Sequence, residues 1–407
     1  MTYTINELQL QKRHSAPSLF VMNRQFHEKE VKLNDRKIIT FRKPSEIGHY
    51  SVDGVKEFHD DNRQMKWIYK PSSGWNADLG PESHWDLNVG YPQAIKKDFE
   101  NKKYITHILK WILNHREEIQ RVFLSPKSNN LKIDFVCSRG LLQNICCTLK
   151  TGKSSRDEWS FCASKFKSTI YMCSFETDNQ IMDRKNETEK TKVMTTWGAK
   201  FEQHMTSGAP NSMPNTSVPV NENEGYYVVL KGQLNEYYLL YSAEVDGKDP
   251  AIPQEYSYFN SILKETDCYV ELKTTRHGSD KGRYYRPTLF KWWLQSFLAG
   301  IPKIICGVRN DTGVVGQLKT FQTENILEII QEKRNINNCL KICHEILGFV
   351  KECIQEDDPK IVYRFFYEPC TPYVKCEKLI NPGQFKILPD WFADEYETYY
   401  DERKESC

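Results

Sequence analysis

Hydrophobic residues recur at helical spacing in several stretches of this chain. Apolar side chains at every third or fourth position predict helices over about 101–124, 187–206 and 335–353. A further helix is predicted between Pro287, which suits a first turn, and Gly300, which suits an end. The body of this helix, Leu289–Leu298, is apolar nearly all round, so we expect it to be buried on most sides.

Strand-like patterns fill much of the chain between these helices. Strands are predicted over 131–149, 159–175, 226–231, 237–246 and 267–275. A hairpin is predicted from Ile304 to Phe321, with its turn at 310–313. Lys150–Ser154 is typical of a turn, and 207–224 is the strongest loop signal because it is rich in Gly, Pro, Asn and Ser.

Composition indicates a packed globular protein. The chain has 407 residues, of which 13% are aromatic, so one large α/β domain or two fused lobes both fit. Residues 1–30 have the character of a loose polar leader, 31–395 of a single domain, and 396–407 of a C-terminal tail. The net charge of +2 identifies no partner, although a local basic groove can still bind nucleic acid.

The cysteine content favours a reducing compartment. The 13 Cys are odd in number and have no regular disulfide spacing, and Met1–Asn6 lacks the apolar core of a signal peptide. We therefore expect free thiols in the nucleus or the cytoplasm. No apolar run reaches the roughly 18 residues of a membrane span, so no membrane partner is expected.

A zinc site is one interpretation of Cys339, Cys343 and His344. These residues fall in the predicted 335–353 helix, and no second ligand pair is spaced for a zinc finger. Buried free thiols are the favoured interpretation, because cysteine usually packs as a small hydrophobic residue.

Two short strings place charged residues two positions apart on predicted strands. They are Glu244-Val245-Asp246 and Glu271-Leu272-Lys273. Residues at i and i+2 of a strand share a face, so four charged groups lie within reach of one another if the strands are neighbours. Carboxylates suit a divalent metal and a nearby lysine suits phosphate chemistry, as in nucleases of the restriction and λ-exonuclease type. A solvated ion pair between strands is the alternative that the spacing alone favours.

Three further polar residues strengthen the catalytic interpretation. Gln295 interrupts the apolar helix, as a core amide or as an active-site donor. Arg139 ends a predicted strand beside Gly140, and it suits either phosphate recognition or a surface ion pair. Glu202 follows Trp197-Gly198-Ala199-Lys200-Phe201, and it is either a solvated carboxylate or a lateral ligand of the metal cluster.

Together these motifs resemble the DXO family of RNA 5′-end decapping nucleases. The resemblance runs from about Phe41 to Trp391, with the family's motifs in order. The matching positions are Phe41–Gly48, Arg139, Gly198–Glu202, Glu244 with Asp246, Glu271–Lys273, Gln295 and Leu318–Phe321. The resemblance implies a mixed α/β (α+β) fold with two packed mixed β-sheets and flanking helices.

The resemblance also implies roles for individual residues. Metal binding falls to Glu202, Glu244, Asp246, Glu271 and the carbonyl of Leu272. Lys273 and Gln295 position the attacking water, and Glu202 shares their catalytic site. Arg139 and Lys319 contact the RNA backbone or its 5′ phosphates, and Glu202, Lys273 and Gln295 also lie against the substrate. The expected cofactor is Mg²⁺, with two ions bound and Mn²⁺ as a substitute.

The implied activity is hydrolysis at RNA 5′ ends. The expected substrates carry a 5′ triphosphate, an incompletely methylated cap or an NAD cap, and 5′–3′ digestion occurs in some family members. A nuclear 5′–3′ exoribonuclease is the expected protein partner. Two alternatives remain: an RNA-binding scaffold for such an exoribonuclease with little activity of its own, and a deoxyribonuclease. For the aromatic segment Trp67–Trp85, core packing is favoured over stacking on a cap.

Overall fold

The computed structural model describes most of the chain. The described residues are 21–25, 38–80, 84–97, 105–124, 132–148, 157–252, 265–278, 285–331, 335–369 and 373–405. The predicted turn at Lys150–Ser154 lies outside these ranges. Within them, no helix is both long and apolar enough to cross a membrane.

Strands and helices alternate along the described chain. The strands are β1 Val21–Gln25, β2 Phe41–Val52, β3 Phe58–His59, β4 Trp67–Ile68, β5 Trp85–Asp86, β6 Phe135–Ser138, β7 Trp159–Phe166, β8 Thr169–Phe175, β9 Thr206–Ser207, β10 Gly225–Leu234, β11 Tyr237–Glu244, β12 Gly247–Lys248, β13 Tyr269–Arg276, β14 Lys303–Arg309, β15 Val314–Gln322, β16 Val362–Tyr367 and β17 Tyr373–Leu379. The helices are α1 Thr106–Asn114, α2 Arg116–Phe123, α3 Arg139–Cys146, α4 Asp178–Lys185, α5 Glu189–Met205, α6 Tyr285–Ala299, α7 Thr323–Ile329, α8 Asn335–Cys353 and α9 Asp390–Glu405.

The strands form two mixed sheets. The larger sheet has the order β1-β17-β16-β7-β8-β6-β11-β10-β2-β3, and the smaller has the order β5-β15-β14-β13-β12-β4-β9. Both contain parallel and antiparallel pairs: β13 runs parallel to β14 and antiparallel to β12. The predicted mixed α/β fold with two sheets and flanking helices is therefore confirmed.

Three apolar clusters order the layers of the molecule. The largest joins both sheets to helices α3, α6 and α8, so these helices lie between the sheets. A second packs α1, α2 and α9 against the outer face of the larger sheet. The third packs α5 against the outer face of the smaller sheet. Burial of an apolar face on each element explains this layering. The predicted burial of α6 is confirmed: Leu289, Trp293 and Leu294 are all buried.

The predicted strand over 131–149 is wrong beyond its first part. The alternation of Phe135 and Cys137 does form β6, but the chain then turns into helix α3. Ser138 is the N-cap, and its side chain accepts a hydrogen bond from the Leu141 N–H at 3.3 Å. Arg139 is therefore the first residue of a helix rather than the end of a strand. Apolar residues at helical spacing, including Leu141 and Ile145, bury one face of α3.

Other boundaries also differ from the sequence-based ones. The helix predicted over 101–124 is divided at His115 into α1 and α2, and the strand predicted over 237–246 ends at Glu244. Strand β1 lies inside the predicted 1–30 leader and pairs with β17, and α9 continues past the predicted domain end at 395. Backbone pairing and a helical continuation set these limits, and neither leaves a strong composition signal.

Candidate active site

Polar side chains converge where the chain crosses from one sheet to the other. Strand β11 ends at Glu244 in the larger sheet, and β12 begins at Gly247 in the smaller one. Asp246 lies in this crossing, and its Oδ2 accepts a hydrogen bond from the Leu272 N–H of β13 at 2.6 Å. Glu244 and Asp246 thus do not share one strand face as predicted. They approach β13 because the crossing brings them beside it.

Glu271 is at the centre of the site and is only 1% exposed. Its Oε1 accepts hydrogen bonds from Lys273 Nζ at 2.5 Å and from Gln295 Nε2 at 2.6 Å. Arg139 Nη1 lies 3.5 Å from the other oxygen, Oε2. A buried carboxylate needs such partners. The structure therefore brings three residues predicted for catalysis or substrate binding, Lys273, Gln295 and Arg139, onto the side chain of Glu271 or beside it.

Arg139 also connects the two sheets. Its Nη1 donates to the backbone carbonyl of Glu244 at 3.2 Å, while the same guanidinium faces Glu271. The position of Arg139 in the first turn of α3 follows from the Ser138 cap. The Arg139 Nε is buried without an acceptor among the described residues. The guanidinium is thus held at the junction with one donor unsatisfied.

Glu202 approaches the cluster from helix α5. Burial, and next the charge of Glu244, raise the pKa of Glu202 to about 7, although Lys273 and Lys66 oppose the rise. Glu202 and Glu244 also line one cavity, so their charges interact. Glu202 reaches the cluster from a helix and not from a strand of either sheet.

The remaining charged groups are shifted by one another. Burial, with the charges of Glu271 and Glu202, raises the pKa of Asp246 well above its usual value. Burial also tends to raise the pKa of Glu271, but Lys273 and Arg139 outweigh it, so this pKa is lowered. The pKa of Lys273 is raised because Glu271 and Asp246 outweigh its burial. Glu271 and Lys273 are therefore a charged pair, while at Glu202 and Asp246 burial and neighbouring carboxylates outweigh the nearby lysines.

The oxygen donors of this site are of the type that a divalent cation prefers, but they do not surround one as they stand. Oxygen ligands are those that Mg²⁺ and Mn²⁺ prefer, and a cation would offset the burial and the like charges that raise the pKa of Glu202 and Asp246. In the described part of the chain, however, no three His, Cys, Asp or Glu side chains are grouped to hold an ion as they stand. Lys273 and Gln295 occupy one oxygen of Glu271, and the Leu272 N–H occupies one of Asp246.

Two further predicted residues, Leu272 of β13 and Lys319 of β15, lie on strands of the smaller sheet. In an extended strand the N–H and C=O of one residue point to the same edge, so the Leu272 carbonyl points to the edge where Asp246 lies. Lys319 of β15 is in register with Cys306, which is in register with Lys273. Lys319 is therefore two strands from Lys273, at roughly 10 Å, on the same face of the sheet.

Several residues of the site were not predicted from the sequence. The Tyr227 hydroxyl hydrogen-bonds to the Glu244 side chain, and its ring stacks on Tyr50 with centroids 5.1 Å apart. Lys66 is close enough to lower the pKa of Glu202. Tyr50 and Tyr227 look like ordinary strand residues, and Lys66 like an ordinary surface lysine. Only the pairing of β2, β10 and β11 brings the two tyrosines beside Glu244.

A cavity of about 570 Å³ opens beside the carboxylates. Glu202 and Glu244 line it together with Lys66 and residues of the segment 208–224, which is the predicted 207–224 loop without Ser207 of β9. Its volume is in the range of sites for small molecules and cofactors. A nucleotide-sized group can therefore lie next to the two carboxylates.

The two favoured structural interpretations of other motifs hold. Cys339 and Cys343 are thiols buried in α8, and His344 Nε2 lies 2.9 Å from Glu236 Oε1. Within the aromatic segment, Trp75 and Trp85 pack against the apolar cluster beneath α5. The two thiols are buried as predicted, and these two tryptophans contact the core while staying partly exposed.

Comparisons with known proteins agree with the geometry. The family model described as RAI1-like PD-(D/E)XK nuclease matches residues 21–393. The decapping and exoribonuclease protein of Homo sapiens is 33% identical over 361 residues, covering 87% of this chain and 85% of that protein.

Solved structures share the fold. Candida albicans Rai1, crystallised with pU5-Mn²⁺, superposes with a TM-score of 0.74 at 20% identity and covers 93% of this chain and 99% of its own. Scheffersomyces stipitis Rai1, crystallised with (3′-NADP)⁺ and calcium ion, gives 0.72 at 22% identity, covering 89% of this chain and 98% of its own. The family predicted from the motifs is confirmed: the chain belongs to the RAI1-like PD-(D/E)XK nucleases.

Proposed function

We propose that this protein is a metal-dependent hydrolase that acts as a decapping nuclease at the 5′ end of RNA. The observation that carries the proposal is the single oxygen of Glu271 that accepts from both Lys273 and Gln295, beside Asp246 and Glu202. Membership of the nuclease family and the decapping name of its Homo sapiens relative support the substrate class.

The residues of the chain suggest how the reaction is arranged. Lys273 and Gln295 direct their donors at one oxygen of Glu271, so a water bound there would be oriented by an ammonium and an amide group. Arg139 has a buried donor without an acceptor in the described chain, and a phosphate oxygen would satisfy it. Lys319, farther along the same face, would contact the next part of the RNA.

We further propose Mg²⁺ as the cofactor, with two ions bound and Mn²⁺ able to substitute. Glu202, Glu244, Asp246 and Glu271, with the Leu272 carbonyl, are the residues that would hold it. A divalent cation there would neutralise phosphate charge and lower the pKa of the attacking water. The oxygen-only donor set supports this choice.

The proposed substrates are RNAs with a 5′ triphosphate, an incompletely methylated cap or an NAD cap. Each would be cut at the phosphorus that becomes the first phosphate of the RNA, and 5′–3′ digestion would follow in the same cavity. A 5′–3′ exoribonuclease is the proposed partner, and the nucleus, or else the cytoplasm, the proposed location. The Homo sapiens relative's name supports the combination of decapping and exoribonuclease activity.

Product analysis on a panel of 5′-labelled RNAs tests the function directly. We expect purified protein with Mg²⁺ to convert at least one of the three 5′ ends to a 5′ monophosphate. The double variant Glu244→Ala/Asp246→Ala should lose turnover, because both carboxylates that enter the site from the sheet crossing are gone. Glu189→Ala, which removes an exposed carboxylate from α5, is the matched control. Wild-type protein that leaves all three RNAs intact with Mg²⁺ and Mn²⁺ would refute the proposal and favour the scaffold.

A further inference from the structure

Lys200 is a buried lysine on α5, two residues before Glu202. It is 3% exposed, and its Nζ donates to Gln203 Oε1 at 2.8 Å and to the Thr216 carbonyl at 3.1 Å. Both acceptors are neutral, and no carboxylate pairs with Lys200 among the described residues. Burying an ammonium group without a counter-ion costs free energy, so a contribution to stability does not explain this lysine. A positional role explains the contacts better.

The contacts of Lys200 lead to the segment 208–224. Gln203, on the same helix, donates from Nε2 to the Val218 carbonyl at 2.9 Å. Two side chains of α5 therefore hold two carbonyls of the segment that are two residues apart. In the part of the chain that the structure describes, these are the hydrogen bonds that join 210–219 to another element. The end of the segment is held separately, because Ile95 N–H donates to the Val220 carbonyl at 2.8 Å.

The same segment is one wall of the cavity beside the carboxylates. Asn215, Val218 and Asn221 line this wall, and Glu202 and Glu244 line the cavity as well. Helix α5 thus carries both a carboxylate of the site and the two tethers of the opposing wall. A shift of the wall would change the shape of the cavity without moving Glu271, Lys273 or Gln295.

We propose that Lys200 and Gln203 are positioning residues that hold 208–224 as a fixed wall of the substrate cavity. This inference rests on the proposed function. The wall sets the affinity for the nucleotide that lies next to the scissile phosphate. The hydrogen bonds of Lys200 do not reach the carboxylates, so its loss affects KM rather than kcat.

Lys200→Met tests the proposal because it keeps the buried volume and removes the donor. We expect faster amide hydrogen exchange in 208–224 of the substrate-free protein. We also expect KM for 5′-triphosphate RNA to rise about tenfold, because about one hydrogen bond that holds the wall is lost. The kcat should stay within about twofold of the wild-type value. The melting temperature should stay the same or rise, because a buried unpaired charge is removed. A purely structural lysine would instead give a lower melting temperature and an unchanged KM.

Lys192→Met is the matched control, because it removes an exposed cation of α5 that pairs with Glu189. It should change neither exchange in 208–224 nor KM. Gln203→Ala provides a second test if Lys200→Met does not fold, with the same expected rise in exchange. Unchanged exchange, or faster exchange with an unchanged KM, would overturn the proposal. If wild-type protein turns over no RNA, the proposed function fails, while the exchange measurement still decides whether the tethers exist.

Discussion

At the scale of single residues, one oxygen of Glu271 organises the site. The Lys273 ammonium and the Gln295 amide both donate to it, so each fixes the position of the other. The spacing of Glu271 and Lys273 predicted their shared face, and the family motifs predicted Gln295. The double contact itself was not predictable, because it depends on how α6 packs over β13.

Gln295→Leu should lower kcat about 10- to 100-fold, since it removes a neighbour that orients the central carboxylate. The melting temperature should change little, because Gln295 is only half-buried. Lys291→Ala, at an exposed position of the same helix, serves as the control. Single-turnover rates on capped RNA measure the effect. A Gln295→Leu enzyme with wild-type kcat would contradict this role.

Tyr227→Phe removes the hydroxyl that bonds to Glu244 while keeping the stacked ring. We expect about tenfold weaker binding of Mn²⁺, because partners of metal-binding carboxylates tune metal affinity. Calorimetric titration of the substrate-free protein measures it. Tyr363→Phe, which removes a hydroxyl bonded to the distant Glu356, should bind Mn²⁺ like the wild type. Equal affinities in both variants would rule out a role for the Tyr227 hydroxyl.

At the scale of elements, close packing of α5 on the smaller sheet places Glu202. Gly307 of β14 allows this approach, because a Cβ there would lie 2.5 Å from Cε2 of Phe201 on α5. Phe201 is fully buried, so its ring has little room to move. Phe201, the residue before Glu202, is thus packed against a strand that has no side chain at that point.

Gly307→Ala should destabilise the fold by about 1–3 kcal/mol, as overpacking of a core does, and should also lower activity. Gly316→Ala in the adjacent strand is the control, since the nearest atom to its added Cβ would be 3.4 Å away. Chemical denaturation followed by tryptophan fluorescence compares the two. Equal stability of both variants would show that α5 has room to shift.

Periodicity predicted the elements better than it predicted their junctions. The bounds of α5, α6 and the β14–β15 hairpin lie close to the sequence-based ones, because each carries a long apolar pattern with clear ends. Helix α3 was missed because Ser138 acts as a cap directly after a genuine strand. The sheet crossing at Val245 and Asp246 was missed because strand-like residues continue through it. Such junctions depend on tertiary pairing and not on local pattern.

At the scale of the whole molecule, the metal-free site carries like charges at the junction of two sheets. The pKa of Glu202 is about 7 in the folded protein against an ordinary value near 4.5. Between these values the Glu202 carboxyl is more protonated in the folded state than in the unfolded state, so its contribution to stability falls as pH rises from about 4.5 to 7.

We expect the melting temperature of the metal-free protein to fall over this pH range, and that of Glu202→Gln to fall less.

Added Mg²⁺ should raise the melting temperature of the wild type at pH 7.5, because a ligand that binds only the folded state stabilises it. Glu244→Gln/Asp246→Asn should not respond to Mg²⁺. Differential scanning calorimetry with and without chelator decides this, and Glu189→Gln should behave like the wild type.

The wide separation of the site residues along the chain also determines when the site can form during synthesis. The groups around Glu271 are spread from Arg139 in α3 to Gln295 in α6, and β14 beside them follows only after residue 302. A ribosome must therefore pass residue 302 before these groups can assemble. A nascent chain shorter than that has no complete centre, so the site forms only late in synthesis.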